Sequence, residues 1–378
     1  RRLARRLAVA AATLLAAFPL AAVALVALTG FALSGPRYRG PVSDHFDGRR
    51  FFNQVHKPRG TLEVLRWRLT RRPAPWPARI EAPPGPPPPA RVGRGELRVT
   101  FVGHATTLVQ MDRLNVLTDP HWSERASPVS WAGPRRVRPP GIPFEALPPV
   151  DLVVISHNHY DHLDLPTLER LAARHAPRIL VPLGNRPLLA SAGIGRVEEL
   201  DWWQGVEVAP GVRAHLVPAQ HFSARGLFDR NATLWGGFVL EGPAGVVYFA
   251  GDTGFGPHVE QIRARFGPPR LALLPIGAYE PRWFMAYTHM SPEEAVAAHR
   301  ILGAGTSVAI HFGTFPLADE PFDEPVARLA RALEAARVPA GRFWVLEAGE
   351  GRAVPPLEEA GRPGWQGTGP RWRGGGPG

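Results

Sequence analysis

The sequence has 378 residues, of which 44% are hydrophobic and 20% are charged, and this is long enough for a domain with a large core. It contains no cysteine, which excludes disulfides, thiolate metal ligands and a cysteine nucleophile. The formal net charge is +11, but residues 1–95 hold 17 basic and 4 acidic residues, so the rest of the chain is nearly neutral. We therefore expect no nucleic-acid partner.

An apolar stretch at residues 7–33 follows four arginines among the first six residues. Its length matches the roughly 20 residues of a bilayer-spanning helix and exceeds the roughly 7–15 of a signal-peptide core. We predict a membrane anchor at residues 1–34 with its basic flank in the cytoplasm, which for a bacterial inner membrane places the domain in the periplasm. The alternative is a signal that is cleaved and releases an exported protein.

We interpret residues 35–95 as a basic, proline-rich segment that is either a linker or an arm wrapped around the main domain. Nine prolines between residues 73 and 89 favour an extended polyproline spacer. The aromatic run at residues 46–53 is predicted to pack on the main domain. The basic residues either contact anionic lipid headgroups or are simply solvated.

From residue 96 to 352 the pattern is typical of an α/β domain, and we expect residues 353–378 to be a disordered tail. Strands are predicted at 97–102, 107–111 and 114–117. Helices are predicted at 166–176, 257–266, 292–302 and 325–336. Ser291, followed by Pro292 and Glu294, has the pattern of a helix N-cap with a capping box.

The loop at residues 156–164 concentrates metal-binding side chains directly after the apolar run 152–155. His157 and His159 point to the same side of an extended chain, while Asp161 and His162 can address a second ion nearby. Imidazole and carboxylate are the ligands of zinc and related divalent ions. The alternative is a polar surface loop that is rich in histidine.

Three later apolar strands end in the same way, each followed within a few residues by one potential ligand. These residues are His221, Asp252 and His311. Independent surface histidines would not share this context, so the four strand ends together predict a metal site.

The order H-x-H-x-D-H, His, Asp, His is similar to that of the metallo-β-lactamase superfamily. Within it, residues 96–350 resemble the family of N-acylphosphatidylethanolamine-hydrolysing phospholipase D, most specifically at 275–285. Further matching stretches are 103–106, 117–120, 127–128, 147–149, 155–164, 181–184, 200–203, 249–254 and 310–315. The resemblance implies a four-layered αββα sandwich, here preceded by the N-terminal transmembrane helix.

The same resemblance implies two zinc ions, with other divalent metals possible, bound along one edge of the sandwich. It assigns one ion to His157, His159 and His221, the other to Asp161, His162 and His311, and a bridging role to Asp252. Asp161, Asp252 and His289 are the implied catalytic residues.

The same resemblance implies roles for several other residues. His289 is expected to orient the substrate or donate a proton, and the alternative is a histidine that caps or packs a helix. Asp119 is expected to hold the histidine loop from behind, unless it only forms a turn with Pro120. His104, Tyr160 and Arg282 are possible contacts of the substrate phosphate, or structural residues.

The function implied is hydrolysis of a phospholipid, N-acylphosphatidylethanolamine, to N-acylethanolamine and phosphatidic acid. Two cations would lower the pKa of a shared water to give hydroxide, which would attack phosphorus in line while the departing alkoxide takes a proton from water or a nearby acid. The expected partners are the lipid and a membrane, contacted through the N-terminal helix and the basic segment. The alternatives are a metal-dependent hydrolase of a lactone or small phosphoester, and a non-catalytic, membrane-tethered envelope protein.

Overall fold

The structure is a computed structural model that describes residues 28–55 and 60–357, together with residues 2, 18, 25 and 26. Within these residues no helix combines the length and apolarity needed to cross a bilayer. Residues 18, 25, 26 and 28–32 are helical, and most of the apolar stretch 7–33 lies outside the described residues. We therefore correct the prediction of a transmembrane anchor that places the domain in the periplasm.

The first sheet contains seven strands in the order β14-β1-β2-β3-β4-β5-β6. Strands β14, β1, β2 and β3 pair antiparallel, whereas β3 to β6 are parallel. The strands are β1 (Leu97–Gly103), β2 (Thr106–Met111), β3 (Leu114–Thr118), β4 (Leu152–Val154), β5 (Arg178–Pro182), β6 (Val197–Leu200) and β14 (Gly351–Ala353).

The second sheet has the order β13-β12-β11-β10-β9-β8-β7. Its strands from β7 to β10 pair antiparallel, and β10 to β13 are parallel. They are β7 (Gly205–Ala209), β8 (Val212–Val217), β9 (Gly237–Gly242), β10 (Gly245–Phe249), β11 (Leu271–Pro275), β12 (Thr306–Ile310) and β13 (Phe343–Trp344).

Successive side chains of each strand in the first sheet point to opposite faces, and the buried ones form two core clusters, one on each face. Leu152, Val154 and Leu180 belong to a core cluster shared with the second sheet, whereas Val153 and Ile179 belong to a separate cluster on the outer face. Successive side chains of a strand point to opposite faces, so both faces of this sheet are buried. The two sheets therefore pack face to face.

Helices cover the outer face of each sheet. The α-helices between residues 60 and 353 are α1 (Thr61–Thr70), α2 (Leu165–His175), α3 (Arg186–Ser191), α4 (His258–Phe266), α5 (Arg282–Met285), α6 (Pro292–Leu302) and α7 (Glu324–Ala335). Apolar side chains of α2 and α3 complete the outer cluster of the first sheet, and those of α4, α6 and α7 pack on the second. The four-layered αββα sandwich is thus confirmed, and the four predicted helices begin and end within one residue of their expected positions.

The segment before the sandwich packs against it over residues 35–55. Phe46 and Phe51 are buried in the inner core cluster, and their rings lie 4.5 Å apart. The predicted packing of the aromatic run is therefore confirmed. At the other end, Val354 belongs to the same cluster, and residues 358–378 of the expected tail lie outside the described residues. The proposed domain boundaries at residues 34, 95 and 352 stay a prediction.

Candidate metal centre

One edge of the sandwich collects the carboxyl ends of several strands. Strands β1, β3 and β4 run in the same direction in the first sheet, as do β8, β10 and β12 in the second. Side chains that follow these strands therefore meet at the same edge. The residues in question are His104, Asp119, the loop of His157 to His162, His221, Asp252 and His311.

Three of these residues have left-handed backbone conformations directly after their strands. His104, Asp119 and His311 have φ angles of 56°, 34° and 59°. Such angles are uncommon for residues other than glycine and cost of order 1–3 kcal/mol each. Gly251, next to Asp252, has a φ of 59°, and a Cβ there would lie only 2.5 Å from Ser156 Cβ. The chain turns sharply where it enters the site.

Three imidazole nitrogens converge on the first side of the site. His157 Nε2 lies 2.8 Å from His159 Nδ1, which in turn lies 3.3 Å from His221 Nε2. Nitrogen lone pairs repel at these distances unless a proton or cation lies between them. This geometry is the one that three protein ligands of a single ion require.

A second set contains two imidazoles and two carboxylates. His162 Nε2 lies 3.2 Å from an oxygen of Asp161 and 3.2 Å from Asp252 Oδ2. His311 Nε2 lies 3.4 Å and 3.2 Å from the same two oxygens. Asp252 Oδ2 is also 3.7 Å from His221 Nε2, so this carboxylate lies between the two sets.

The opposite ring nitrogens of these histidines are held by fixed partners. His162 Nδ1 donates to Asp119 Oδ2 at 2.6 Å, and His221 Nδ1 donates to the Thr288 carbonyl at 2.9 Å. Ser156 Oγ donates to Asp119 and accepts from His157 Nδ1 at 2.8 Å. Each partner fixes the tautomer that leaves Nε2 facing the site.

A divalent ion fits the polar atoms that line this edge. Within the described part of the chain, His162 Nε2 and Asp252 Oδ1 are buried without a hydrogen-bond partner, as is Nδ1 of His289. Buried polar atoms normally have partners because an unpaired one loses its hydration without compensation. Groups of three or four such ligand atoms lie within 4.8 Å of one another. The donor set is all nitrogen and carboxylate oxygen, which suits zinc and similar ions.

Burial keeps the first set of imidazoles neutral. It lowers the pKa of His159 and His221 to about 3 and that of His157 well below its ordinary value. The neutral ring is the form that binds a metal, so these nitrogens need lose no proton to accept an ion at pH 7.

The second set contains charged groups instead. Burial raises the pKa of Asp161 and Asp252, but the adjacent His162 outweighs burial and holds both well below their usual range. Burial lowers the pKa of His311, and Asp252 and Asp161 raise it to about 9. An ion that binds here therefore replaces protons that the metal-free side chains hold.

The remaining sequence-predicted residues lie around this centre at different depths. His104 is 1% exposed and donates to Asp161 Oδ2 at 2.9 Å, so it lies behind a predicted ligand. His289 Nδ1 lies 3.9 Å from Asp252 Oδ2 on the accessible side. Arg282 pairs with Glu294 at 2.7 Å and donates to the His289 carbonyl at 3.0 Å.

Tyr160 is half-buried next to the ligand loop, and the Arg225 guanidinium lies 3.9 Å from its ring centroid. Arg225 also donates to the carbonyls of Asn158 and Leu163, which bracket this loop. The two residues line a cavity of about 540 Å³ beside the loop. The structure thus brings the predicted residues together at one edge, and their individual roles stay predictions.

Two contacts of the site were not predicted from the sequence. Asn53 in the N-terminal arm pairs with the backbone of His221, and the Thr288 carbonyl holds the ring of the same histidine. Both contacts involve backbone groups, which leave no signature in residue types. Only the aromatic run at residues 46–53 indicated that this part of the arm meets the domain.

Comparison with known proteins shows which family this chain matches. The family model described as "Beta-lactamase superfamily domain" matches residues 114–312. An uncharacterized protein of Mycobacterium tuberculosis is 43% identical over 307 residues, which cover 79% of this chain and 80% of that protein. N-acyl-phosphatidylethanolamine-hydrolyzing phospholipase D 1 of Caenorhabditis elegans is 42% identical over 251 residues, which cover 63% of this chain and 70% of the worm protein.

Solved structures agree with the fold. Igni18, a metallo hydrolase of the archaeon Ignicoccus hospitalis, superimposes with a TM-score of 0.52 and 24% identity, covering 68% of this chain and 98% of that one. This likeness concerns the architecture alone. The resemblance inferred from the motifs is confirmed by the family model and by the named relative. The chain therefore belongs to the beta-lactamase superfamily domain family, and it is a metal-dependent hydrolase.

Proposed function

We propose that this hydrolase is a dinuclear zinc phosphodiesterase that cleaves N-acylphosphatidylethanolamine to N-acylethanolamine and phosphatidic acid. The observation that carries the proposal is the position of Asp252 between two sets of ligand atoms, 3.2 Å from His162 and 3.7 Å from His221. Paired metal sites of this kind are typical of enzymes that transfer phosphoryl groups. The relative named for this phospholipase activity supports the choice of substrate.

In this proposal His157, His159 and His221 would hold one ion and Asp161, His162 and His311 would hold the other, with Asp252 within reach of both sets of side chains. Bound ions would lower the pKa of a water molecule and neutralise charge on the phosphoryl oxygens. Asp119 and Ser156 orient the imidazoles from behind. His104 acts through its hydrogen bond to Asp161 rather than by touching the phosphate, because its side chain is buried.

His289 orients the substrate in this proposal, and the departing alkoxide takes a proton from water or a nearby acid. Burial lowers the pKa of the His289 ring well below its ordinary value, which favours the neutral, hydrogen-bonding form. Arg282 holds the backbone of His289 and is neutralised by Glu294, which makes it a positioning residue. Tyr160, which is partly exposed, remains the proposed contact for the phosphate.

A strip of exposed apolar side chains supports an amphiphilic substrate. Leu62, Leu65 and Leu69 share one face of α1 and are between 51% and 80% exposed. Trp67 on the same helix stacks on Phe284 at 4.7 Å, only five residues before His289. Contiguous exposed apolar surface commonly marks a binding site, and acyl chains have the matching chemistry.

The test is hydrolysis of N-acylphosphatidylethanolamine in mixed detergent micelles by the purified full chain, with its metal content measured. We expect release of N-acylethanolamine and two bound metal ions per chain. Asp252→Asn should reduce turnover by roughly 100-fold or more, since it removes the charged ligand shared by both sets. Asp323→Asn, the same chemical change at an exposed position before α7, is the matched control and should keep full turnover.

Other outcomes separate the parts of the proposal. Cleavage of small phosphoesters or lactones without cleavage of the lipid would agree with the proposed metal site but would refute N-acylphosphatidylethanolamine as the substrate. A single bound ion with full activity would refute the dinuclear mechanism. Full activity in Asp252→Asn would refute the assignment of the site itself.

A further inference from the structure

The N-terminal arm of residues 35–55 reaches the metal centre from outside the sandwich. Phe46 and Phe51 anchor the arm in the inner core, and His45 stacks on Trp202 with ring centroids 4.5 Å apart. Two residues after Phe51, the side chain of Asn53 is buried, with only 6% of the residue exposed. The arm thus delivers a polar side chain into the interior beside the site.

Asn53 pairs with both backbone groups of a single residue, His221. Its Nδ2 donates to the His221 carbonyl at 2.8 Å, and its Oδ1 accepts from the His221 N–H at 3.1 Å. Trp235 Nε1 also donates to Asn53 Oδ1, at 3.1 Å. With two donors at Oδ1 and two acceptors at Nδ2, the His221 carbonyl and the Tyr287 hydroxyl, a single amide orientation satisfies every atom.

His221 needs such support because it lies in a loop rather than in a strand. Strand β8 ends at Val217, so regular pairing with neighbouring strands does not fix the backbone of His221. A pair of hydrogen bonds to both its N–H and its C=O prevents rotation of the adjacent peptides. The ring is then fixed through Nδ1, which donates to the Thr288 carbonyl.

The same arm also joins this loop to the segment that carries His289. Asn53 Nδ2 donates to the Tyr287 hydroxyl at 3.2 Å, and the Val55 carbonyl accepts from both Tyr287 and Gln220. Three chain segments, far apart in sequence, therefore meet at residues 53–55. A shift of the arm would move both histidines.

We propose that Asn53 is a positioning residue for His221, and that residues 35–55 are a functional part of the hydrolase domain. The inference rests on the proposed role of His221 as a metal ligand. Loss of the Asn53 amide would leave the N–H and the carbonyl of His221 without these partners, and a shift of this backbone would move Nε2 away from the other two imidazole nitrogens. The expected consequence is weaker metal binding at the three-histidine set, followed by lower turnover.

The test measures metal affinity of the full chain by competition with a chromophoric chelator, using Zn²⁺ alone. Asn53→Asp keeps the volume and both acceptor contacts and removes the donated bonds, while Asn53→Ala removes all of them. We expect affinity for one of two ions to fall about 10-fold to 100-fold, as is usual when a residue that orients a ligand is lost. With Co²⁺ in place of Zn²⁺, the d–d absorption should change for that ion only.

His45→Gln is the control for arm docking, because His45 contacts Asp201 and Trp202 and no residue of the site. It should leave metal affinity within twofold of the wild type, and thermal unfolding of the metal-free proteins should show all variants folded. Wild-type affinity in both Asn53 variants would overturn the inference. An equal loss in His45→Gln would overturn the specific role of Asn53 and assign the effect to docking of the whole arm.

His221→Ala distinguishes this inference from the proposed function. If His221→Ala loses one ion and the Asn53 variants do not, the ligand assignment survives and the positioning role falls. If His221→Ala binds both ions as tightly as the wild type, the ligand assignment on which both proposals depend is refuted.

Discussion

At the scale of single residues, Asp119 shows how a buried carboxylate organises the site without facing the substrate. It is fully buried and accepts hydrogen bonds from the Ser156 N–H at 2.7 Å, the Ser156 hydroxyl and His162 Nδ1. The turn that Asp119 forms with Pro120 brings its carboxylate under the ligand loop. This geometry supports the loop-holding role expected from the sequence and makes a turn-only role insufficient to explain the contacts.

Replacing Asp119 with asparagine should weaken metal binding while the fold persists. The Asp119→Asn side chain keeps the volume but loses the charge that holds the proton on His162 Nδ1, so Nε2 is no longer fixed as the free nitrogen. We expect a 10-fold to 100-fold loss of affinity, measured by chelator competition. Asp323→Asn is again the control, and an unchanged affinity in Asp119→Asn would contradict the role.

The sequence indicated which side chains meet at this edge because their signal is local. His221, Asp252 and His311 each follow an apolar strand, and strand direction then determines where they meet. The partners of these residues were harder to find. Asn53 acts on a backbone segment far along the chain, and a contact between a side chain and a distant peptide group depends on tertiary packing alone.

At the scale of elements, the N-terminus of α6 contains the capping box predicted from the sequence. Ser291 Oγ accepts from the Glu294 N–H at 3.3 Å, and the Ser291 N–H donates to Glu294 Oε2 at 2.8 Å. Pro292 occupies the first turn, where its missing N–H has no intrahelical partner to lose. The helix begins three residues after His289, which connects its stability to the site.

Ser291→Ala should therefore destabilise the protein by about 1 kcal/mol, because one N–H at the helix start loses its acceptor. Denaturant unfolding of the metal-free protein measures this change. Ser191→Ala, at the end of α3 and exposed, is a suitable control. Equal stability of Ser291→Ala and the wild type would show that the cap contributes nothing here.

The docking of the N-terminal arm should depend on pH through His45. Burial lowers the pKa of His45, but hydrogen bonds to Asp201, at 2.7 Å, and to Asp44 outweigh burial and raise it above 6.5. A folded-state pKa above the unfolded value stabilises the protein fully below about 6.5, and this contribution disappears as the pH rises through the folded-state pKa.

The measurement is the free energy of unfolding from pH 6 to pH 9 for the wild type and for His45→Gln. The difference between the two proteins should decrease toward high pH, since only the wild type loses a bound proton. A difference that is constant over this range would show that His45 does not titrate as its contacts require.

Element prediction failed where the apolar pattern faces solvent or the strand is very short. Helix α1 was not predicted, although Leu62, Leu65 and Leu69 have helical spacing, because its surroundings are rich in proline and arginine. Strand β14 has three residues, and nearly the whole sequence of the domain separates it from its partner strand β1. Neither length nor periodicity identifies such an element.

At the scale of the whole molecule, an ion bound at this edge would connect the two sheets. The ligand atoms come from loops after β4 in the first sheet and after β8, β10 and β12 in the second. Binding to the folded state alone stabilises it by about 2.7 kcal/mol when the free ligand is at 100 times its dissociation constant.

Removal of metal by a chelator should therefore lower the midpoint of thermal unfolding, and readdition of Zn²⁺ should restore it. Asp252→Asn should show a smaller shift, because it binds the ions less tightly. Scanning calorimetry with and without chelator measures both effects. An identical midpoint in the two conditions would mean that no ion of appreciable affinity binds the folded wild type.

The family resemblance carried by the order of the histidine and aspartate motifs implied the architecture of the sandwich, whereas the prediction of an N-terminal anchor was wrong. Hydropathy reports the free energy of transferring residues 7–33 out of water, but not the structure that those residues adopt. The described helical residues in this region are 18, 25, 26 and 28–32, and no helix of the described residues is long and apolar enough to cross a bilayer. Composition therefore led to a wrong prediction of localisation.

The proposed ligands lie far apart in the sequence, and this separation determines when the metal site forms during folding. His157 and His311 belong to different sheets and are separated by most of the domain, so the chain must close long loops before they meet. We therefore expect the complete site to form only when the two sheets pack together. Metal would then be acquired after folding, and the refolding rate in denaturant-jump experiments should be the same with and without Zn²⁺.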